Sequence, residues 1–205
     1  YPYTLRNGST STREKRFNSD VNTIRAEANL YGSLRSGGEL TFKGNWMSSQ
    51  RGLPGSVIYY NQDARERLWD EAGFVQGQYS KRLSDKMELK GQLKYNYAWN
   101  KYMDEDESYH GGVRTDYFTQ KEIYGSISAK YTPVTHLGVV LSQDIFRNTL
   151  DASYVNFVYP ERFTSLTALA ARYDNGRINA TRKQAHCPAT HTGRQTTGTR
   201  LSGSM

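Results

Sequence analysis

The stretch "MELKGQLKYNYAWN", residues 87–100, alternates from end to end. Met87, Leu89, Leu93, Tyr95, Tyr97 and Trp99 share one phase, and Gly91 keeps it. Glu88, Lys90, Gln92, Lys94, Asn96, Ala98 and Asn100 hold the other. Successive strand side chains point to opposite faces, so this period of two makes a long ribbon with one apolar side. The period recurs along the chain, and helical spacing is scarce. Residues 22–34 set Ile24, Ala26, Ala28, Leu30 and Leu34 against Thr23, Arg25, Glu27, Asn29 and Ser33. Residues 39–47 carry Leu40, Phe42 and Trp46 in phase, and residues 73–83 carry Val75, Tyr79 and Leu83. Residues 121–131 repeat it with Ile123, Ile127, Ala129 and Tyr131, and residues 137–147 with Leu137, Val139, Leu141 and Ile145. Residues 163–173 contain "SLTALAARY", and residues 178–181 begin an eighth strand. The chain is therefore expected to be all-β, an antiparallel meander of seven or eight long strands.

The connections sort by length. Those at 36–38, 83–86, 132–136 and 174–177 are short, and "DNGR" (174–177) is a strong hairpin signal because Asn and Gly tolerate positive φ. Those at about 48–72, 101–120 and 148–162 are long. Outer-membrane barrels sort their loops in this way, with tight periplasmic turns and long external loops. Trp46, Tyr97, Trp99 and Tyr102 fall near the long loops, and Tyr79, Tyr131 and Tyr173 near the short turns, as two interfacial belts would require. Tyr31 is out of phase with its strand's apolar side. Hydrophobic residues make up 36% of the chain, low for a packed soluble core. These features favour residues 1–181 as part of a transmembrane outer-membrane β-barrel. Two other architectures keep the same alternation: a self-contained eight-stranded barrel with a structural or adhesion role, and a soluble glycan-binding β-sandwich.

The formal charge of +7 is spread unevenly. Arg182, Lys183, Arg194 and Arg200 lie beyond Thr181 with no acid among them. Without those four, 23 basic residues face 20 acidic ones. Lys and Arg alternate with Glu and Asp there, so no nucleic-acid stripe is expected. All aromatic residues precede residue 182, and the alternation stops inside the eighth strand. Residues 182–205 are expected to be a non-barrel tail, disordered or out of frame. Cys187 is the single cysteine, and the chain opens on Tyr1. It reads as a piece of something longer, or a processed form.

Residues 23–61, "ERLWDE" (66–71) and residues 79–102 resemble the barrel of TonB-dependent outer-membrane receptors. The vitamin B12 and siderophore receptor-like branch is the nearest in style. "RGLPG" (51–55) after a strand ending in an aromatic, and the hairpin "SLTALAARYDNGR" (165–177), carry the likeness. It spans roughly residues 10–181. It implies a location in the bacterial outer membrane and a role in energised uptake of a scarce nutrient such as cobalamin or a ferric siderophore. It also implies a plug domain, TonB and outer-membrane lipid as partners.

No catalytic spacing stands out among His110, His136, His186 and His191, and no enzyme activity is expected. Substrate contacts are expected from the long loops: Arg51, Tyr59, Tyr60 and Trp69 in the first, and Tyr102, Tyr109 and Tyr117 in the second. Their aromatic rings offer stacking area, and Arg51 can meet a phosphate or carboxylate. No cofactor is expected beyond calcium, for which Asp104 and Asp106 of "DEDE" (104–107) offer alternating hard oxygens.

Overall fold

The structure is a computed structural model and describes residues 2–55, 64–106, 108–154, 157–186 and 189–193. Every regular element in it is a β-strand. The main sheet runs β3 (Val21–Ser33), β4 (Gly38–Gly52), β5 (Arg67–Ser84), β6 (Met87–Glu105), β7 (Val113–Val134), β8 (Leu137–Ala152), β9 (Pro160–Asp174) and β10 (Asn179–His186). Each pairs antiparallel with its sequence neighbour, so the sheet is an uncrossed meander. The all-β meander read from the alternation is the fold observed. A separate hairpin precedes it, formed by β1 (Pro2–Asn7) and β2 (Thr10–Lys15).

All four short turns fall where the sequence marks them, two of them, at 36–38 and 174–177, on Gly and Asn. Gly37 and Gly176 adopt φ of 77° and 81°, which a side chain would resist. The strands overrun their expected bounds on the long-loop side, where β7 reaches 22 residues. On that side β4 runs on to Gly52, β5 starts at Arg67, β6 runs on to Glu105, β7 starts at Val113, β8 runs on to Ala152 and β9 starts at Pro160. The eighth strand also continues past Thr181. Asn179–His186 pairs with β9, and β11 (Ala189–Gly193) pairs further along the same β9 edge. Backbone pairing needs no side-chain alternation, so a free strand edge accepts it.

Directly opposed residues in antiparallel strands lie on one face. One row runs Leu30, Phe42, Gly77, Leu93, Gly125, Ile145 and Ser165. The next on that face runs Leu40, Tyr79, Gly91 and Ile127. The apolar phases of β3 to β9 therefore merge into one surface. On β6 the row meets Leu93, mid-way along the apolar residues; on β9 it meets Ser165, towards their long-loop end. The apolar band thus slants across the sheet, as tilted barrel strands require. It ends at β10, which places Arg182 and Gln184 opposite Ala171 and Leu169.

Nothing packs on this surface among the described residues. Leu93 is 69% exposed, Leu30 64% and Ile127 60%, and the one buried apolar residue is Ala152. The chain exposes 15800 Å². A compact soluble chain of its 23.4 kDa would expose about 9,700 Å². Each large apolar side chain left in water forgoes ~1.5–3 kcal/mol, so a dozen would outweigh the ~5–15 kcal/mol net stability of a soluble domain. On β5, β8 and β9 the polar phase is mostly half-buried while the apolar phase holds the exposed positions. Side chains crowd on the inside of a curl, so the polar face is the inner one. β3 and β10 are the sheet's two edges, and among the described residues no pairing joins them.

The hairpin is clipped to the main sheet at its base. The Asn18 side-chain amide donates to the Leu53 and Glu66 carbonyls at 3.2 and 2.6 Å. Arg67 binds both Asp20 oxygens, at 3.3 and 2.7 Å. Gly52 donates to the Asp20 carbonyl, and a Cβ there would strike the Asn18 backbone. We expect Gly52→Ala to open this clip and speed protease cleavage between residues 16 and 20, while Gly32→Ala, which meets open space, leaves the rate unchanged. Arg67 holds the Asp20 carboxyl below its usual range, first through the hydrogen bond. A lowered acid stabilises the fold above its ordinary pKa of ~3.9 and loses that contribution as pH falls through the folded value. Cleavage by an acid-active protease is accordingly expected to rise below about pH 4, and Asp20→Asn to flatten that dependence.

Candidate functional site

The long-loop end of β4–β7 carries two arrangements on opposite faces. On the apolar side Trp69 pairs with Lys101, and Lys101 with Tyr117. The Lys101 ammonium sits 4.9 Å from the Trp69 ring centre and 5.8 Å from that of Tyr117. Trp99 lies one row below, with its ring 6.2 Å from Tyr117. A cation held between aromatic faces just beyond an apolar band combines two groups suited to a headgroup layer. Trp69 and Tyr117 therefore lie on the apolar side and not in a shared pocket with the other expected substrate contacts.

The polar side holds Arg51, Tyr102, Asp104 and Tyr109. Arg51 pairs with Asp70 at 3.1 Å. Tyr102 stands opposite Asp116, which is 8% exposed and accepts from Arg114 Nε at 3.0 Å. The Tyr109 hydroxyl donates to Asp104 at 2.9 Å, and that bond, more than any other cause, pushes the phenol's pKa up. Asp106 accepts from the Ser108 amide at 2.8 Å, which holds its carboxyl low. Gly111 and Gly112, with φ of 82° and 74°, let the loop double back into β7. Each of these charges thus has a partner within the chain. The network stiffens the loop base and leaves Arg51 neutralised. Tyr59 and Tyr60 lie outside the described residues.

For calcium, Asp104 and Asp106 are each engaged by a hydrogen bond within the loop. Among the described residues no group of three or more His, Cys, Asp or Glu side chains converges on a metal position.

The polar face also carries a depression that the alternation did not announce. It encloses about 350 Å³ and is lined by Arg25, Asn45, Met47, Phe74, Ala98 and Asn96, among others. Ala72 and Ala98 face each other directly there, so two small side chains leave the space. That pairing was present in the sequence, but it needs the register to be seen. The Lys94 ammonium lies 4.5 Å over the Phe74 ring beside it. A shallow, mixed-polarity dimple of this size can seat one side chain or part of a small molecule. No protein-family model and no curated protein matches the chain.

Proposed function

We propose that this chain is part of the wall of an outer-membrane β-barrel, and that the barrel is a TonB-dependent receptor for a scarce nutrient. One observation carries the membrane reading. Seven consecutive strands put their apolar phases on a single uncovered face, while the charged phases crowd on the other. Hydrocarbon suits the first face, and a water-filled or plugged lumen suits the second. The apolar stretches Ile24–Leu34, Val75–Leu83, Leu89–Trp99, Ile123–Tyr131 and Phe163–Tyr173 run 9 to 11 residues each, the span of a tilted transmembrane strand. Among the described residues no helix is long and apolar enough to cross a membrane.

The receptor assignment rests on the resemblance of residues 10–181. In it, the sheet forms wall and loop bases, a plug domain gates passage, and the solute is cobalamin or a ferric chelate. The second reading, a self-contained eight-stranded barrel, draws on the strand number. β3 to β10 is an even set, so the two edges run antiparallel and are able to pair. The soluble sandwich is less favoured, because no second sheet covers the apolar face among the described residues.

Refolding the full chain into phosphatidylcholine vesicles tests the membrane reading. A heat-modified band on gels and protease-protected strand peptides are expected. A freely soluble, compact monomer without detergent would sink it.

A further inference from the structure

The N-terminal hairpin is unlike the sheet that follows it. Of the 27 basic and 20 acidic residues, four basic ones follow Thr181. Four basic ones and one acidic one precede Phe17: Arg6, Arg13, Lys15, Arg16 and Glu14. That leaves 19 of each sign between, so residues 17–181 are neutral and the excess charge ahead of Arg182 sits on the hairpin. Register sorts that charge. Pro2 opposes Lys15, Thr4 opposes Arg13, and Arg6 opposes Ser11, so Arg6, Arg13 and Lys15 share one face. Same-face neighbours on such a pair stand ~7 Å apart, which makes a ladder of three cations with Thr4 and Ser11 hydroxyls between them. All three are exposed, and among the described residues none has an acidic partner. Arg16 is different: its guanidinium is spent on the Pro54 and Gly55 carbonyls at the base.

Position adds a second argument. The hairpin enters the sheet where Val21 pairs with Arg51, at the long-loop end of β4. Ile24, the first apolar residue of the band on β3, follows within a turn's length of the clip at Asn18 and Asp20. The rim marked by Lys101, Trp69 and Tyr117 lies at that same end. A lone two-stranded hairpin is marginal in water, and among the described residues this one touches no other strand. We propose that the Arg6–Arg13–Lys15 ladder docks on phosphate groups of lipids in the leaflet at the long-loop side. This rests on the membrane reading above. Guanidinium forks take phosphate oxygens in pairs, the hydroxyls supply further donors, and three unpaired cations complement an anionic surface.

The test is flotation of the full chain with vesicles of phosphatidylcholine, alone or mixed with phosphatidylglycerol, at low and high salt. The wild-type chain is expected to prefer the anionic vesicles by roughly 100-fold at low salt, at about a factor of five per cation, and to lose the preference at high salt. The variant R6Q/R13Q/K15Q should lose most of it while still inserting into phosphatidylcholine. If the variant keeps the preference, or the wild type inserts but shows none, the proposal is overturned. Equal displacement by soluble polyphosphate would also overturn it, by naming a free polyanion as the ligand. A wild-type chain that floats with anionic vesicles yet never inserts would instead count against the wall reading alone and leave the ladder standing.

Discussion

Replacing Leu93 by Arg is expected to weaken the inserted fold by ~2–4 kcal/mol, whereas Gln92→Arg, one residue away, should change it by less than about 0.5. Leu93 stands at the middle of the apolar band, 69% exposed, between Gly77 and Gly125 on the flanking strands. Gln92 looks the other way, between Gln78 and Ser126. Urea titration in phosphatidylcholine vesicles reads the difference. The sign makes the experiment decisive. On a soluble sheet an Arg at such an exposed position would be neutral or would improve solubility. An unchanged midpoint for Leu93→Arg would end the membrane reading.

Gly73→Ala is expected to cost ~1–3 kcal/mol and to loosen the pairing of β4 with β5. A Cβ at Gly73 would sit 2.7 Å from the Asn45 carbonyl oxygen and 3.4 Å from the Trp46 Cα. Both are backbone atoms and cannot rotate aside. Trp46 and Tyr97 flank this glycine directly, so the aromatic rings cover the space that a side chain would fill. Gly77→Ala is the control, because a methyl there meets nothing within 4 Å. Amide exchange across Asn45 and Trp46 should accelerate in the first variant alone. Equal behaviour of the two would show that the close approach carries no weight.

Much of this fold was legible because apolar alternation and the turn positions agree. Gly37, Asp85, His136 and Gly176 all fall within the short turns that the sequence marks. What was not legible lies outside the apolar band. In "RTDYFTQ" (114–120) both phases mix polar and aromatic residues, so nothing in the period announces that β7 already runs there. "TSTREK" (10–15) has no apolar member, and the pairing of β2 with β1 comes from a turn at Gly8 and backbone bonds. The candidate contacts failed to group for a related reason. Composition marked Trp69, Tyr102 and Tyr117 alike as loop aromatics. Register then set Trp69 and Tyr117 on the apolar side and Tyr102 on the other, a difference of parity that only the strand bounds could supply.

The 22 residues of β7 have a consequence for how a solute would meet this protein. At ~3.3 Å per residue and a tilt of ~40° the strand climbs roughly 55 Å, about twice the height of the oily zone it would cross. In the proposed barrel the surplus would stand in water as continuous pleated wall, braced by β6 and β8. Such a wall would act as a chimney: whatever descends through it would meet fixed walls long before reaching the depth of the acyl chains.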